Sequence, residues 1–142
     1  MKSVTGRILG IDYGSKRIGV AVSDPLRVIA QGIGTLENDH RVIGRISSII
    51  KEQDVALVVV GMPYSSDGGK GAKALEVDQF IQRIKESVST GVETWDESYT
   101  SVNAQRAFID GGMKRKQRRQ KARVDEMAAR LMLQEYLDNN DH

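Results

Sequence analysis

The segment Ala56-Leu57-Val58-Val59-Val60-Gly61 has an apolar or small residue at every position. A strand with one face in water alternates apolar and polar residues. A short run with no polar position is instead buried on both faces, as in parallel pairing with helices above and below. The flanking sequence agrees with that reading. Val42, Ile46, Ile49 and Ile50 recur at helical spacing and predict an amphipathic helix over about 39–53. Val77, Phe80, Ile81, Ile84 and Val88 mark a second helix, and Val92 to Trp95 a further short strand. Upstream, Arg7 to Asp12 and Ile18 to Val22 read as strands joined by the turn Tyr13-Gly14-Ser15-Lys16, with Val28 to Leu36 as a third. Downstream, a helix over about 100–111 is stopped by Gly111-Gly112, and a last helix carries Val124, Met127, Ala128, Leu131 and Leu137. The order βββαβαβαα predicts an α/β fold: a mixed five-stranded sheet flanked by helices, in one domain over residues 1–142.

Composition removes several classes of chemistry. There is no cysteine, so disulfides, zinc–thiolate sites and cysteine nucleophiles are excluded. The only histidines are His40 and His142, so any metal site must be built mainly from carboxylates. The longest apolar run, Val55 to Met62, is far short of the roughly 20 residues needed to cross a bilayer. The N-terminus lacks the apolar stretch of a signal peptide. A cytoplasmic protein with no membrane partner is therefore expected. The net charge of +2 says little, but the positive charge gathers near the C-terminal end.

Three acidic residues stand out by position. Asp12 ends the first strand before a glycine-containing turn, Glu97 follows the fifth strand, and Asp125 lies in the last helix beside Ala128 and Ala129. Sites in open α/β sheets form at the carboxyl ends of strands. Asp12 and Glu97 meet there if their strands are parallel neighbours, and a helix packed across that edge brings in Asp125. Converging carboxylates repel one another unless cations neutralise them. Hard oxygen donors suit Mg2+ or Mn2+ better than zinc. Two such ions can activate a water and stabilise the leaving oxygen of a phosphodiester. Each acid taken alone reads equally as a cap, a turn residue or a solvated charge.

From Lys114 to Arg123 seven residues in ten are basic: Lys114, Arg115, Lys116, Arg118, Arg119, Lys121 and Arg123. This density suits a polyanion, whose counterions each Lys or Arg contact releases. It carries no base-reading information. The run abuts Asp125, which sets positive charge beside the candidate metal site. Lys16 and Arg17, just past Asp12, are further candidates for phosphate contacts. Ser65 to Gly71 lacks the Walker A spacing and reads as a loop. Trp95 reads as core, and Tyr13 and Tyr64 as possible stacking surfaces with nothing specific behind them.

Gly10 to Asp24 (GIDYGSKRIGVAVSD), Val60-Gly61-Met62-Pro63, Asp96 to Ser101 and Val124 to Ala129, continued by Leu133 to Leu137, together resemble the YqgF family. Its members are pre-16S rRNA nucleases and Holliday-junction-resolvase-like proteins. The segments fall in order and cover nearly the whole chain. The resemblance implies a ribonuclease H-like fold and a metal-dependent nuclease whose acidic positions are Asp12, Glu97 and Asp125. It also implies maturation of the 5′ end of 16S rRNA as the role, with ribosomal particles as expected partners and resolution of branched DNA as the older proposal. The chain departs from the family at Ser98-Tyr99, where an Arg-Leu pair is usual, and at Met62, where Leu is usual.

Two other classes compete. A non-catalytic nucleic-acid-binding module would need only the basic run. An actin-like ATPase would share Ile11 to Ser15 as a phosphate hairpin, but such proteins close two domains over the nucleotide and 142 residues hold one. Within the nuclease class, a resolvase needs two active sites and so a homodimer, whereas RNA processing is open to a monomer.

Overall fold

The computed structural model describes residues 6–63, 71–96 and 118–139. In chain order the elements are β1 (Arg7–Asp12), β2 (Arg17–Ser23), β3 (Ala30–Glu37), α1 (Val42–Glu52), β4 (Val55–Met62), α2 (Ala72–Ser87), β5 (Gly91–Asp96) and α3 (Arg118–Asn139). The strands form one mixed sheet in the order β3-β2-β1-β4-β5. β1–β2 and β2–β3 pair antiparallel, while β1–β4 and β4–β5 pair parallel. The predicted helix over 100–111, Tyr64, and residues 65–70 of the loop lie outside the described residues.

β4 is covered on both faces, as its unbroken apolar run requires. Val58 and Val60 belong to the core beneath α1 and α2, with Val42, Ile46, Val77, Phe80 and Ile84. Val59 points the other way, into the core under α3, with Ile8, Met132 and Leu133. All three valines have no exposed surface. The sheet therefore carries α1 and α2 on one face and α3 on the other.

β3 begins at Ala30 rather than Val28 because Asp24 competes for the backbone there. Its carboxylate accepts the amide N–H groups of Leu26 (3.2 Å), Val28 (2.7 Å) and Ile29 (2.8 Å), which holds the chain in a turn with Arg27 at φ 62°. Gln134 of α3 takes over at the strand's start. It accepts the Ala30 amide at 2.8 Å and donates to the Val28 carbonyl at 2.9 Å.

Gly44, in the first turn of α1, is exposed, and a Cβ there would meet no atom within 4 Å. Glycine at such a helical position costs backbone entropy with nothing gained in packing. Gly44→Ala should raise the unfolding free energy by about 0.5–1 kcal/mol. A urea midpoint that moves up at constant m-value checks it.

Candidate nuclease site at the sheet edge

Backbone register brings the ends of three strands to one edge. Ile11 pairs with Val60, and Val60 with Thr94, so Asp12, Met62 and Asp96 finish side by side at the carboxyl ends of parallel strands. β1 and β5 are not neighbours, contrary to the simplest expectation. β4 lies between them, so two inter-strand steps of about 4.8 Å each separate the end of β1 from that of β5.

Side-chain alternation sorts the acids between the two faces. Asp12 pairs with Gly19 of β2, and Gly10 with Ala21. These positions lie under α3: a Cβ on Gly10 would sit 2.9 Å from Cβ of Leu133, and one on Gly19 would sit 2.0 Å from the backbone oxygen of Asp125. Asp12 is thus buried, at 3% exposure, on the α3 side of the sheet, and the α3 backbone at Asp125 rests on the residue paired with it. Asp96 pairs with Met62, a member of the core under α1 and α2, and so belongs to the opposite face. On β5 the α3 side is taken by Glu93 and Trp95. Trp95 meets Tyr136 edge-on with ring centroids 5.7 Å apart, and Tyr136 donates its hydroxyl to Glu93 at 2.8 Å. Burial, and then this bond to Glu93, pushes the Tyr136 phenol up to about 12, so it stays a donor at every ordinary pH.

α3 reaches this close to the sheet because the strands beneath it lack side chains where it crosses. Gly10, Gly19 and Gly32 form a trough, the last with the Glu126 side chain lying where its Cβ would be, at 2.7 Å. Ala21, Ala30, Ala128 and Ala129 continue the small surface on both partners. Any larger residue at position 19 would lift the helix and carry Asp125 away from Asp12. The sequence reading missed this glycine, although it lies within the Ile18 to Val22 strand that reading identified. Its signal is a lone glycine inside an apolar strand, which marks close approach of another backbone.

The basic candidates separate. Lys16 is exposed. Arg17 is instead partly buried, and its Nε donates to Oδ2 of Asp125 at 3.2 Å, with the two side chains 25% and 19% exposed. Its first engagement is thus an acidic residue of the site. Arg118, Arg119 and Lys121 fall in the first turns of α3, and Arg123, one half-turn before Asp125, is exposed. Lys114, Arg115 and Lys116 lie outside the described residues, as does Glu97, the residue after Asp96. Tyr13 packs on Phe80 at 4.9 Å and is part of the α2 side of the core rather than an open stacking surface.

Of the three predicted acids, the described structure therefore brings Asp12 and Asp125 to the two sides of Gly19. Among the described residues no group of three His, Cys, Asp or Glu assembles a metal site. The donors present nevertheless fit a hard divalent cation. They are carboxylate oxygens, one buried at the strand end, and the other already held against a cationic guanidinium at 3.2 Å. Among the described residues no helix is long and apolar enough to cross a membrane.

Comparison with known proteins bears on both fold and chemistry. A model of the RuvX family, described as Holliday junction resolvase, matches residues 6–139. A protein of Chlorobaculum tepidum that is named as a pre-16S rRNA nuclease is 42% identical over 137 residues, covering 94% of each chain. One of Desulforamulus reducens is 39% identical over 135 residues, covering 94% of this chain and 97% of that one. Among solved structures, RuvC of T. thermophilus in complex with a Holliday junction substrate superposes with a TM-score of 0.58 at 15% identity over 93% of both chains. The resolvase of Fowlpox virus does so with a TM-score of 0.52 at 14% identity, over 93% of this chain and 97% of that one. The mixed sheet flanked by helices is thus the ribonuclease H-like fold that the sequence predicts.

Proposed function

This chain belongs to the RuvX family, and from that premise we propose that it is a divalent-metal-dependent nuclease that hydrolyses phosphodiester bonds in structured nucleic acid, with the 5′ end of pre-16S rRNA as its substrate. The observation that carries the reading is the pairing of a buried Asp12 with Gly19, the residue on which the α3 backbone at Asp125 rests. The RNA substrate is favoured by relatives at 42% and 39% identity that bear the name pre-16S rRNA nuclease.

Asp12 and Asp125 would hold Mg2+ or Mn2+ together with Glu97. Glu97 is included because it is the third acidic position that the family resemblance implies. A divalent ion bound by such donors lowers the pKa of an attacking water and offsets charge on the leaving oxygen. The chain's own part is positioning. Burial removes rotamer freedom from Asp12, so its carboxylate does not need ordering during turnover. α3 carries Asp125 at a depth set by the glycine trough. The basic residues from Lys114 to Arg123, with Lys16, would take backbone phosphates on either side of the scissile bond, which fixes register without reading sequence. We place this work in the cytoplasm, on free precursor RNA or on assembling ribosomal particles, by a monomer. A homodimer is what the branched-DNA alternative requires.

The test is incubation of the purified protein with precursor 16S rRNA and, separately, with a four-way DNA junction, in Mn2+ or in EDTA. Cutting of the RNA in Mn2+ and none in EDTA is expected. Cutting confined to the junction would move the substrate to branched DNA. Absence of Mn2+-dependent cutting of both would leave a binding module.

A further inference from the structure

We propose that Arg17 and the divalent cation compete for the Asp125 carboxylate, so that cation binding frees the Arg17 guanidinium to take a phosphate oxygen of the nucleic acid. This inference rests on the metal-dependent reading above and assigns Arg17 a positioning role in it.

The geometry sets up the competition. Arg17 is the first residue of β2, on the same face as Gly19 two residues on, and its side chain meets α3 through Nε–Oδ2 at 3.2 Å. Its backbone is fixed. The turn before it is pinned by Asn38, whose side-chain amide donates to the Gly14 carbonyl at 2.8 Å and whose backbone N–H donates to the Lys16 carbonyl at 3.0 Å. Gly14 is held so close to the Arg17 carbonyl that a Cβ would lie 2.3 Å from it. The backbone at Arg17 is therefore held by these contacts, and the long side chain has the greater freedom to turn.

The ion pair is poised between two extremes. With 25% and 19% of the side chains exposed, it is not a fully screened surface pair, yet it remains within reach of solutes. A guanidinium keeps its positive charge, so Arg17 cannot relieve repulsion from an arriving dication by becoming neutral. Either the cation binds weakly or the side chain leaves. On leaving, the same group is the best side-chain match to a phosphate, which it can grip through two parallel N–H donors. Coupling of this kind is reciprocal: the factor by which Arg17 weakens cation binding is the factor by which the cation loosens Arg17.

The experiment is Mn2+ titration by calorimetry at low salt of wild-type protein, Arg17→Gln and Arg17→Lys. Arg17→Gln is expected to bind Mn2+ about fivefold tighter than wild type, a typical size for a coupling of this sort. Arg17→Lys, which restores the charge, is expected to return affinity toward the wild-type value. A second measurement uses a nucleic-acid duplex. Mn2+ should raise the affinity of wild type about fivefold more than it raises that of Arg17→Gln, because only the wild type gains the released guanidinium. A third needs no variant and so survives misfolding of Arg17→Gln. In wild-type protein the Arg17 Nε–Hε resonance should move on Mg2+ titration with the midpoint of cation binding. If wild type binds Mn2+ and Arg17→Gln binds it no tighter, or the resonance stays still, the competition is refuted while the metal site stands. If wild type binds no Mn2+, the metal site falls and this proposal with it.

Discussion

Asp12→Asn is expected to reduce Mn2+-dependent cleavage at least about a thousandfold, or about 4 kcal/mol of transition-state stabilisation. The substitution keeps the shape of a 3%-exposed side chain and exchanges a charged oxygen donor for a neutral amide. The fold should survive, because Ile8, Leu9 and Ile11 of the same strand remain fully buried, and because loss of a charge from the interior removes a desolvation cost. Nucleic-acid affinity measured without Mn2+ should hardly change, since the phosphate contacts made in the absence of the cation are assigned to basic side chains elsewhere. Thermal denaturation gives an independent reading. A ligand that binds the folded state only stabilises it by about 2.7 kcal/mol at a hundred times its Kd, so Mn2+ should raise the melting temperature of wild type and leave that of Asp12→Asn unmoved. No Mn2+-dependent cleavage by wild type, with nucleic-acid binding that Asp12→Asn leaves intact and that neutralising Arg118 and Arg119 abolishes, would be the result of a non-catalytic module and would overturn the nuclease reading.

Gly19→Ala should cost about 3 kcal/mol of stability, the upper part of the range for forcing extra volume into a packed interior. A single methyl group would stand 2.0 Å from the Asp125 backbone oxygen and 2.6 Å from its carbonyl carbon. Backbone cannot turn aside as a side-chain end does, so either β2 or α3 must shift. Both are tied down, β2 by ladders to β1 and β3 and α3 by the Leu133 and Gln134 contacts. The same shift separates Asp125 from Asp12, so residual folded protein should also lose cleavage. Urea denaturation measures the first effect, and cleavage at a temperature where the variant remains folded measures the second. Gly44→Ala, which adds the same methyl group where nothing lies within 4 Å, is the control, with the opposite sign expected. Equal stability of Gly19→Ala and wild type would mean that α3 is not seated as described.

Much of this protein was legible before any coordinates. The strand and helix periods rest on neighbouring residues, so Val58-Val59-Val60 announced burial on both faces, and Val42, Ile46 and Ile50 announced the inner side of α1. The absence of cysteine and the scarcity of histidine leave carboxylates as the candidate metal donors, and position at a strand end before Gly14 makes Asp12 one of the candidates. The start of β3 lies two residues later than the hydrophobic pattern places it, because Asp24 captures the backbone amides of Val28 and Ile29, which that pattern alone assigns to the strand.

What tertiary structure alone decided is the order of the strands and the partners of the charges. Periodicity is a local property, and it reports which face of an element is apolar, never which element covers it. That β4 separates β1 from β5, that Asp96 belongs to the face away from Asp12, and that Arg17 meets an acid 108 residues away follow from faces buried jointly. Gly19 lies deepest in this category. The sequence marks it only as a gap in an apolar strand, and what fills that gap appears only when the backbone of another element is found occupying the space that a Cβ would need.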